Sequence, residues 1–177
     1  MTENICFTPA VKLAERIRNG GLSPVDVVNA FLERIDRVNP EVNAYVTVLH
    51  ERARERAREA ERAVESGEPV GQLHGVPVAI KDLVDVAGVK TTSGSKLRVD
   101  NVAEENDVVV ERLLDAGAII LGKTNTPEFG RKPMTTNPFF GPTGNPWDSD
   151  KTAGGSSGGS GAAVAAGLAP IAQGSDT

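Results

Sequence analysis

The stretch Gly75-Val76-Pro77-Val78-Ala79-Ile80-Lys81-Asp82 is a continuous apolar run that ends on two charged residues. A run of this length, apolar at every position, reads as a strand buried on both faces. Further along, Asp107 can cap a helix that carries Val109, Val110, Leu113 and Leu114, and Gly117 ends it. Residues 118–121, Ala-Ile-Ile-Leu, then read as a second buried strand. A helix and then a strand joined by a short link, after the earlier buried strand, indicate an α/β layered fold.

Towards the N-terminus the pattern becomes helical. Thr8-Pro9 reads as a helix cap followed by proline at the first helical position, with a stop at Gly20-Gly21. Ser23-Pro24 repeats the device, and Asp26 stands near the positive end of the helix. Val28, Phe31, Leu32, Ile35 and Val38 fall on one helical stripe, and Asn39-Pro40 is expected to close it. Residues 44–49 are apolar and β-branched, and read equally as a short strand or as continued helix packing. Residues 50–66 form a charge-rich helix with only Ala53, Ala57, Ala60 and Val64 on its inner stripe, so its Arg and Glu side chains form a solvated face. On the C-terminal side, residues 139–150 are a Gly/Pro/Asn-rich loop and residues 154–161 a glycine-serine loop. A helix of small residues over 162–169 follows, and residues 170–173 begin another strand. The expected organisation is a mainly helical part over 1–70 and an α/β core over 71–177, with neither an internal repeat nor a clear linker.

The 177 residues are 39% hydrophobic and 24% charged, enough for one domain and one sizeable core. A net charge of -5 supplies no basic footprint for nucleic acid or for an anionic membrane surface. Neither a basic, apolar leader nor ~18 consecutive apolar residues occur. One cysteine, Cys6, cannot form an internal disulfide, and a reducing, cytoplasmic setting is expected. Cys6, His50 and His74 are not spaced like metal ligands, so neither a metal nor a cofactor is assigned.

Two stretches invite functional readings. Gly117-Ala118-Ile119-Ile120-Leu121-Gly122-Lys123-Thr124 fits the phosphate-loop pattern letter for letter. A phosphate loop needs a strand before it and a helix opening after Lys-Thr. Here a helix precedes, the middle residues are strand formers, and Asn125-Thr126-Pro127 follows, so a buried strand is the expected outcome. The second stretch is Gly154-Gly155-Ser156-Ser157-Gly158-Gly159-Ser160. Glycine-serine tracts are often flexible linkers. This one runs straight into Ala162-Ala163-Val164-Ala165-Ala166, which suits a buried helix, and it sets hydroxyls at a helix mouth where N–H groups already point outward.

Taken with their neighbours, these residues resemble the amidase signature family. The similarity is carried by residues 151–167, by Gly174-Ser175-Asp176-Thr177, by residues 75–82, by Gly122-Lys123-Thr124-Asn125-Thr126-Pro127-Glu128-Phe129-Gly130, and by Gly141-Pro142-Thr143-Gly144-Asn145-Pro146-Trp147. Many members carry a basic residue where this chain has Gly144. The resemblance implies a partial amidase-signature fold, a mixed β-sheet core flanked by helices with helices at the N-terminus. It implies hydrolysis of a carboxylic amide through a Ser-Ser-Lys triad. Lys81 matches the base and Ser156 the relay serine, which in the family follows a cis peptide, here Gly155–Ser156. Ser157 is expected to hydrogen-bond the network, with a helix-capping role as the alternative. The nucleophile lies in a Gly-Ser-Asp-Thr-Gly-Gly-Ser continuation, of which the sequence contains Gly174 to Thr177, and Thr177 matches the first residue of the oxyanion-hole stretch. The 177 residues alone are therefore expected to lack activity and to be poorly soluble. The implied ligand is a small-molecule amide, without direct nucleic-acid binding, and partner subunits or a homo-oligomer are allowed. Two other readings remain: the glutamine-hydrolysing component of a tRNA-dependent amidotransferase, and a non-catalytic fragment that needs a second chain.

Overall fold

The computed structural model describes residues 5–176. Helix α1 spans Ala10–Arg18 and buries Leu13, Ala14 and Ile17. Its N-cap is Pro9 rather than Thr8, because Pro9 keeps an extended ψ of 141° while its carbonyl already accepts from Lys12 and Leu13. Helix α2, Pro24–Val42, starts as expected: the Ser23 side chain accepts from the backbone N–H of Val25 and Asp26. It continues past Asn39-Pro40 for most of another turn and ends where Asn43 turns left-handed, φ 53°, and donates its N–H to the Asn39 carbonyl. A proline in the last turn removes only one ladder bond, the one to the carbonyl of exposed Asp36, which water can reach.

Residues 44–49 resolve as a strand, β1, Tyr45–Val48. Helix α3, His50–Glu65, buries Ala53, Ala57 and Ala60 and turns its ion pairs Arg54–Glu51 and Arg56–Glu59 outward. Strand β2 is Pro77–Lys81, helix α4 is Val108–Asp115 and strand β3 is Ile119–Thr124. In α4, Val110 is buried while Val109 is 40% exposed. Asp107 occupies the N-cap position, but its carboxylate accepts from the backbone N–H of Asp85 instead of capping the helix.

The main sheet has the order β1-β3-β2, with β3 antiparallel to β1 and parallel to β2, a mixed sheet. Its register contains a shift: Val78 pairs with Ile120 but Ala79 pairs with Gly122, so Leu121 has no partner across β2. A bulge of this kind reverses the inward–outward alternation of the strand that carries it. Beyond it, Ile80 lies opposite Lys123 and Lys81 opposite Thr124. One face of the sheet packs Ala79, Ile119 and Leu121 against the helices, and the other gathers Val78, Ile80 and Ile120 with Val86, Val89 and Val110. At the bulge only a glycine fits, since a Cβ on Gly122 would stand 2.1 Å from the Thr47 carbonyl oxygen.

The Gly/Pro/Asn-rich stretch is more ordered than a loop. It carries two small antiparallel ladders, β4 (Thr136–Asn137) with β5 (Gly141–Pro142), and β6 (Gly144–Asn145) with β7 (Asp148–Thr152). Asparagine side chains close both turns: Asn137 Oδ1 accepts from the N–H of Phe139 and Phe140, and Asn145 Oδ1 from that of Trp147. Helix α5 is Gly158–Ala165, so it begins inside the glycine-serine run rather than after it. Residues 170–173 form a single parallel bridge, Ala172 to Ala79, flanked by Ala79 N–H to Ile171 and Gln173 N–H to Ala79, instead of a longer strand.

Candidate active site

Lys81 is the last residue of β2 and its side chain is fully buried. Its Nζ lies 2.7 Å from Ser156 Oγ, 2.8 Å from Ser175 Oγ and 3.0 Å from Ser157 Oγ. Three segments distant in sequence therefore meet at one amine. The backbone holds Lys81 from both sides. Its own N–H donates to Gln173 Oε1 and the next N–H, of Asp82, to the Thr124 carbonyl.

The serines arrive through close backbone packing. The Gly155–Ser156 peptide is cis. A Cβ on Gly155 would stand 2.9 Å from the Met134 backbone, so the loop lies directly on residues 134–135, and Thr135 N–H donates to the Gly154 carbonyl. The Ser156 carbonyl accepts from the hydroxyls of Thr126 and Thr135. Helix α5 follows at once and presses on the end of β3, where a Cβ on Gly159 would stand 2.4 Å from the Asn125 carbonyl oxygen. A second hydroxyl pair fastens the contact. Ser160 Oγ donates to the Gln173 carbonyl, which leaves Thr124 Oγ1 to donate to Ser160 at 2.7 Å.

Ser157 stands at the N-cap position of α5 and makes no capping bond. Its hydroxyl accepts from Lys81 Nζ and from the Ser175 N–H and donates to the Ser175 carbonyl. Ser175 joins the cluster, although the sequence marks it only as a member of the closing Gly-Ser-Asp-Thr motif. The sole signal pointing to it is its place beside a strand end in a glycine-containing turn. Thr177, expected at the start of an oxyanion-hole stretch, lies outside the described residues.

The electrostatics distinguish two buried lysines. Burial lowers the Lys81 pKa from its ordinary value, and the partners around its amine are hydroxyls. An ammonium would donate to all three hydroxyls, whereas a neutral amine would donate to two and accept from the third, so the shell accommodates both forms. Lys123 is also buried and also lowered by desolvation, but Asp82, 3.2 Å away, opposes that shift and favours its charged form. The bulge in β3 separates the two amines onto opposite faces of the sheet. What the Lys81 cluster can do is pass a proton between half-buried or exposed hydroxyls and a buried amine, the requirement for activating a serine.

The phosphate-loop pattern is strand β3, buried from end to end, and Lys123 Nζ bonds Thr91 Oγ1 and the Lys90 carbonyl. Among the described residues, no group of three or more His, Cys, Asp or Glu side chains could hold a metal, and no helix is long and apolar enough to cross a membrane. His50 faces Asp36 and His74 faces the Ala60 carbonyl.

A family model described as Amidase matches residues 26–177. The chain is 50% identical to an acylamidase of Rhodococcus erythropolis over 177 residues, which is 99% of this chain and 37% of that protein. It is 46% identical to a glutamyl-tRNA(Gln) amidotransferase subunit of Carboxydothermus hydrogenoformans, over 97% of this chain and 35% of that one. Among solved structures it resembles a bacterial aryl acylamidase of the amidase signature family, with a TM-score of 0.90 and 36% identity over 94% of this chain and 35% of the other. The chain thus spans little more than a third of the length of the relatives it matches.

Proposed function

Because the chain belongs to the amidase signature family, we propose that it contributes the base and the proton relay of a serine amide hydrolase. The observation that carries this reading is the 2.7 Å contact between buried Lys81 Nζ and Ser156 Oγ inside a shell of hydroxyls. Burial lowers the Lys81 pKa and so favours the neutral amine, the form that accepts a proton from Ser156. Ser156 in turn takes one from the attacking serine, which in the family motif follows Gly-Ser-Asp-Thr-Gly-Gly. That serine adds to the amide carbonyl, backbone N–H groups stabilise the oxyanion, the leaving amine takes the proton, and water hydrolyses the acyl-enzyme. Ser157 and Ser175 hold the Lys81 amine in line with Ser156. On this reading the 177 residues alone do not hydrolyse amides, and a cytoplasmic setting accords with a single, buried cysteine, Cys6.

The test is amide hydrolysis by the native protein and its variants, followed as released ammonia or amine. Lys81→Met and Ser156→Ala should each lower kcat by about 10²–10⁴, the usual worth of general acid–base catalysis. A Ser156→Ala enzyme that keeps more than about a tenth of wild-type kcat overturns the relay, since that loss falls well short of the expected range.

The 46% identity to an amidotransferase component favours a second reading, hydrolysis of glutamine within a complex. Glutaminase activity that appears only with partner subunits would select it. Hydrolysis of simple acyl amides by the isolated native protein would select the free-standing amidase.

A further inference from the structure

Lys123, the lysine of the phosphate-loop pattern, takes no part in the hydroxyl cluster. Its side chain and that of Asp82 are 0% and 1% exposed, with Nζ 3.2 Å from Oδ1. Asp82 is the residue after Lys81, and every polar group it has is engaged. Its carboxylate accepts from Lys123 and from the N–H and hydroxyl of Thr92. Its N–H donates to the Thr124 carbonyl and its carbonyl accepts from the N–H of Ser93.

From Ser93 the connection continues to the segment that passes beside the relay serine. The Ser93 carbonyl accepts from the Phe129 N–H, and a Cβ on Gly130 would stand 3.9 Å from Ser156 Oγ. Ser93 and Phe129 both hold the left-handed backbone region, φ 53° and 52°. Such residues cost about 1–3 kcal/mol each and persist only where their surroundings over-determine them. A buried ion pair is in general a weak source of stability, often replaceable by apolar residues of similar volume without loss. Its place here, one residue from Lys81 and one hydrogen bond from the strained pair, fits a geometric task better than an energetic one.

We propose that the buried Asp82–Lys123 pair is the positioning element of this site, holding Lys81 and the Ser93–Phe129 contact where the Lys81 amine meets Ser156. The inference rests on the reading of Lys81 as the base. The groups that face Lys123 are Asp82, with Asp85 and Asp107 farther off, and those that face the Lys81 amine are the three serine hydroxyls.

The experiment compares the native protein with the neutralised double variant Asp82→Asn/Lys123→Met, and with Thr92→Val, which removes one hydroxyl donor and leaves the ion pair in place. Three quantities are read: the melting temperature, kcat and KM separately, and the titration of the Lys81 ε-methylene by NMR, which needs no turnover. We expect the double variant to fold, to lose kcat by about 10–100-fold with KM within about twofold, as a misplacement of roughly 1 Å would cause. We expect its Lys81 midpoint to rise by about one pH unit or more as the amine leaves its buried position. A double variant that melts like wild type and keeps its kcat and Lys81 midpoint overturns the proposal. Should the double variant not fold, Thr92→Val decides: a folded protein with reduced kcat and unchanged KM supports positioning, and unchanged kcat overturns it. A Lys81→Met control that retains activity refutes the reading of the base, whereas the NMR midpoint still tests the positioning.

Discussion

Replacing Gly159 with alanine tests the contact that brings the serines to Lys81. A Cβ at this position would stand 2.4 Å from the Asn125 carbonyl oxygen, 2.5 Å from its nitrogen and 2.9 Å from the Ala44 carbonyl oxygen, all backbone atoms that cannot swing aside. Helix α5 must therefore retreat by 0.6 Å to reach the tightest tolerable separation of 3.0 Å, or by 1.0 Å to reach ordinary contact at 3.4 Å. Along the Lys81–Ser156 line the smaller retreat weakens their 2.7 Å contact, and the larger one carries it beyond the ~3.5 Å limit of a hydrogen bond. Against backbone that cannot yield, overpacking sits at the upper end of its usual range, about 3 kcal/mol, and alanine's helix propensity returns up to ~1, leaving a loss of about 2 kcal/mol. For a chain of this size that lowers Tm by roughly 4–8 °C. Gly161, two residues along the same helix and exposed, supplies the control, because nothing lies within 4 Å of its Cβ position. Gly161→Ala should leave Tm unchanged or raise it slightly. The assay is thermal unfolding by circular dichroism on the same preparations used for amide hydrolysis, with kcat expected to fall at least tenfold in Gly159→Ala only. If both variants melt and turn over like wild type, the glycine-serine run is not packed on β3, and the account of how Ser156 reaches Lys81 is wrong.

Four further outcomes follow from the same structure. Lys81 releases its proton at a lower pH in the folded protein than in the unfolded chain, where its value is near 10.5. Between those two midpoints the unfolded state binds more protons, so wild type gains stability over Lys81→Met as pH rises, by at most about 1.4 kcal/mol per pH unit; urea unfolding at several pH values checks this, and parallel curves refute it. Amide hydrolysis should rise with pH across the lower end of that window, as the amine becomes neutral. Ser23→Ala removes a cap that accepts from two N–H groups and a hydroxyl that donates to Glu61 on α3, so it should cost about 1 kcal/mol, read as a Tm lowered by a few degrees. Magnesium-ATP should give no saturable heat by calorimetry, because residues 119–124 are a buried strand whose amides are committed to the sheet; saturable binding would mean that this strand opens.

Reading the chain as a sequence located most elements, because each was written in local chemistry. Ser23-Pro24 started α2, Ala53, Ala57 and Ala60 marked the buried stripe of α3, and the apolar runs marked β2 and β3. Where the reading failed, a side-chain or backbone bond that the pattern does not display had decided. Asn39-Pro40 did not end α2, since Asn43 supplied the closing turn three residues after Pro40. The Asp107 carboxylate bonded the Asp85 N–H instead of capping its own helix. The loop around residues 139–150 became two ladders because Asn137 and Asn145 closed their turns with side-chain oxygens. Ser175 was legible as part of a motif but not as a neighbour of Lys81.

By itself the sequence determined the α/β layering, through apolar periodicity, and the family, through short spaced motifs, and by that resemblance it singled out Lys81, Ser156 and Ser157 as candidates. Residue pattern apart from that resemblance could not decide that Lys81 and Lys123 point to different faces of the sheet. Plain alternation from Ile119 through Leu121 would send Lys123 to the same face as Lys81. The unpaired Leu121 reverses that alternation, so that Lys123 turns to Asp82 and Lys81 alone faces the hydroxyls. The glycine inside the strand hints at such a bulge, but the register that leaves Leu121 unpaired is set by the fit between neighbouring strands, here where Gly122 meets the Thr47 carbonyl.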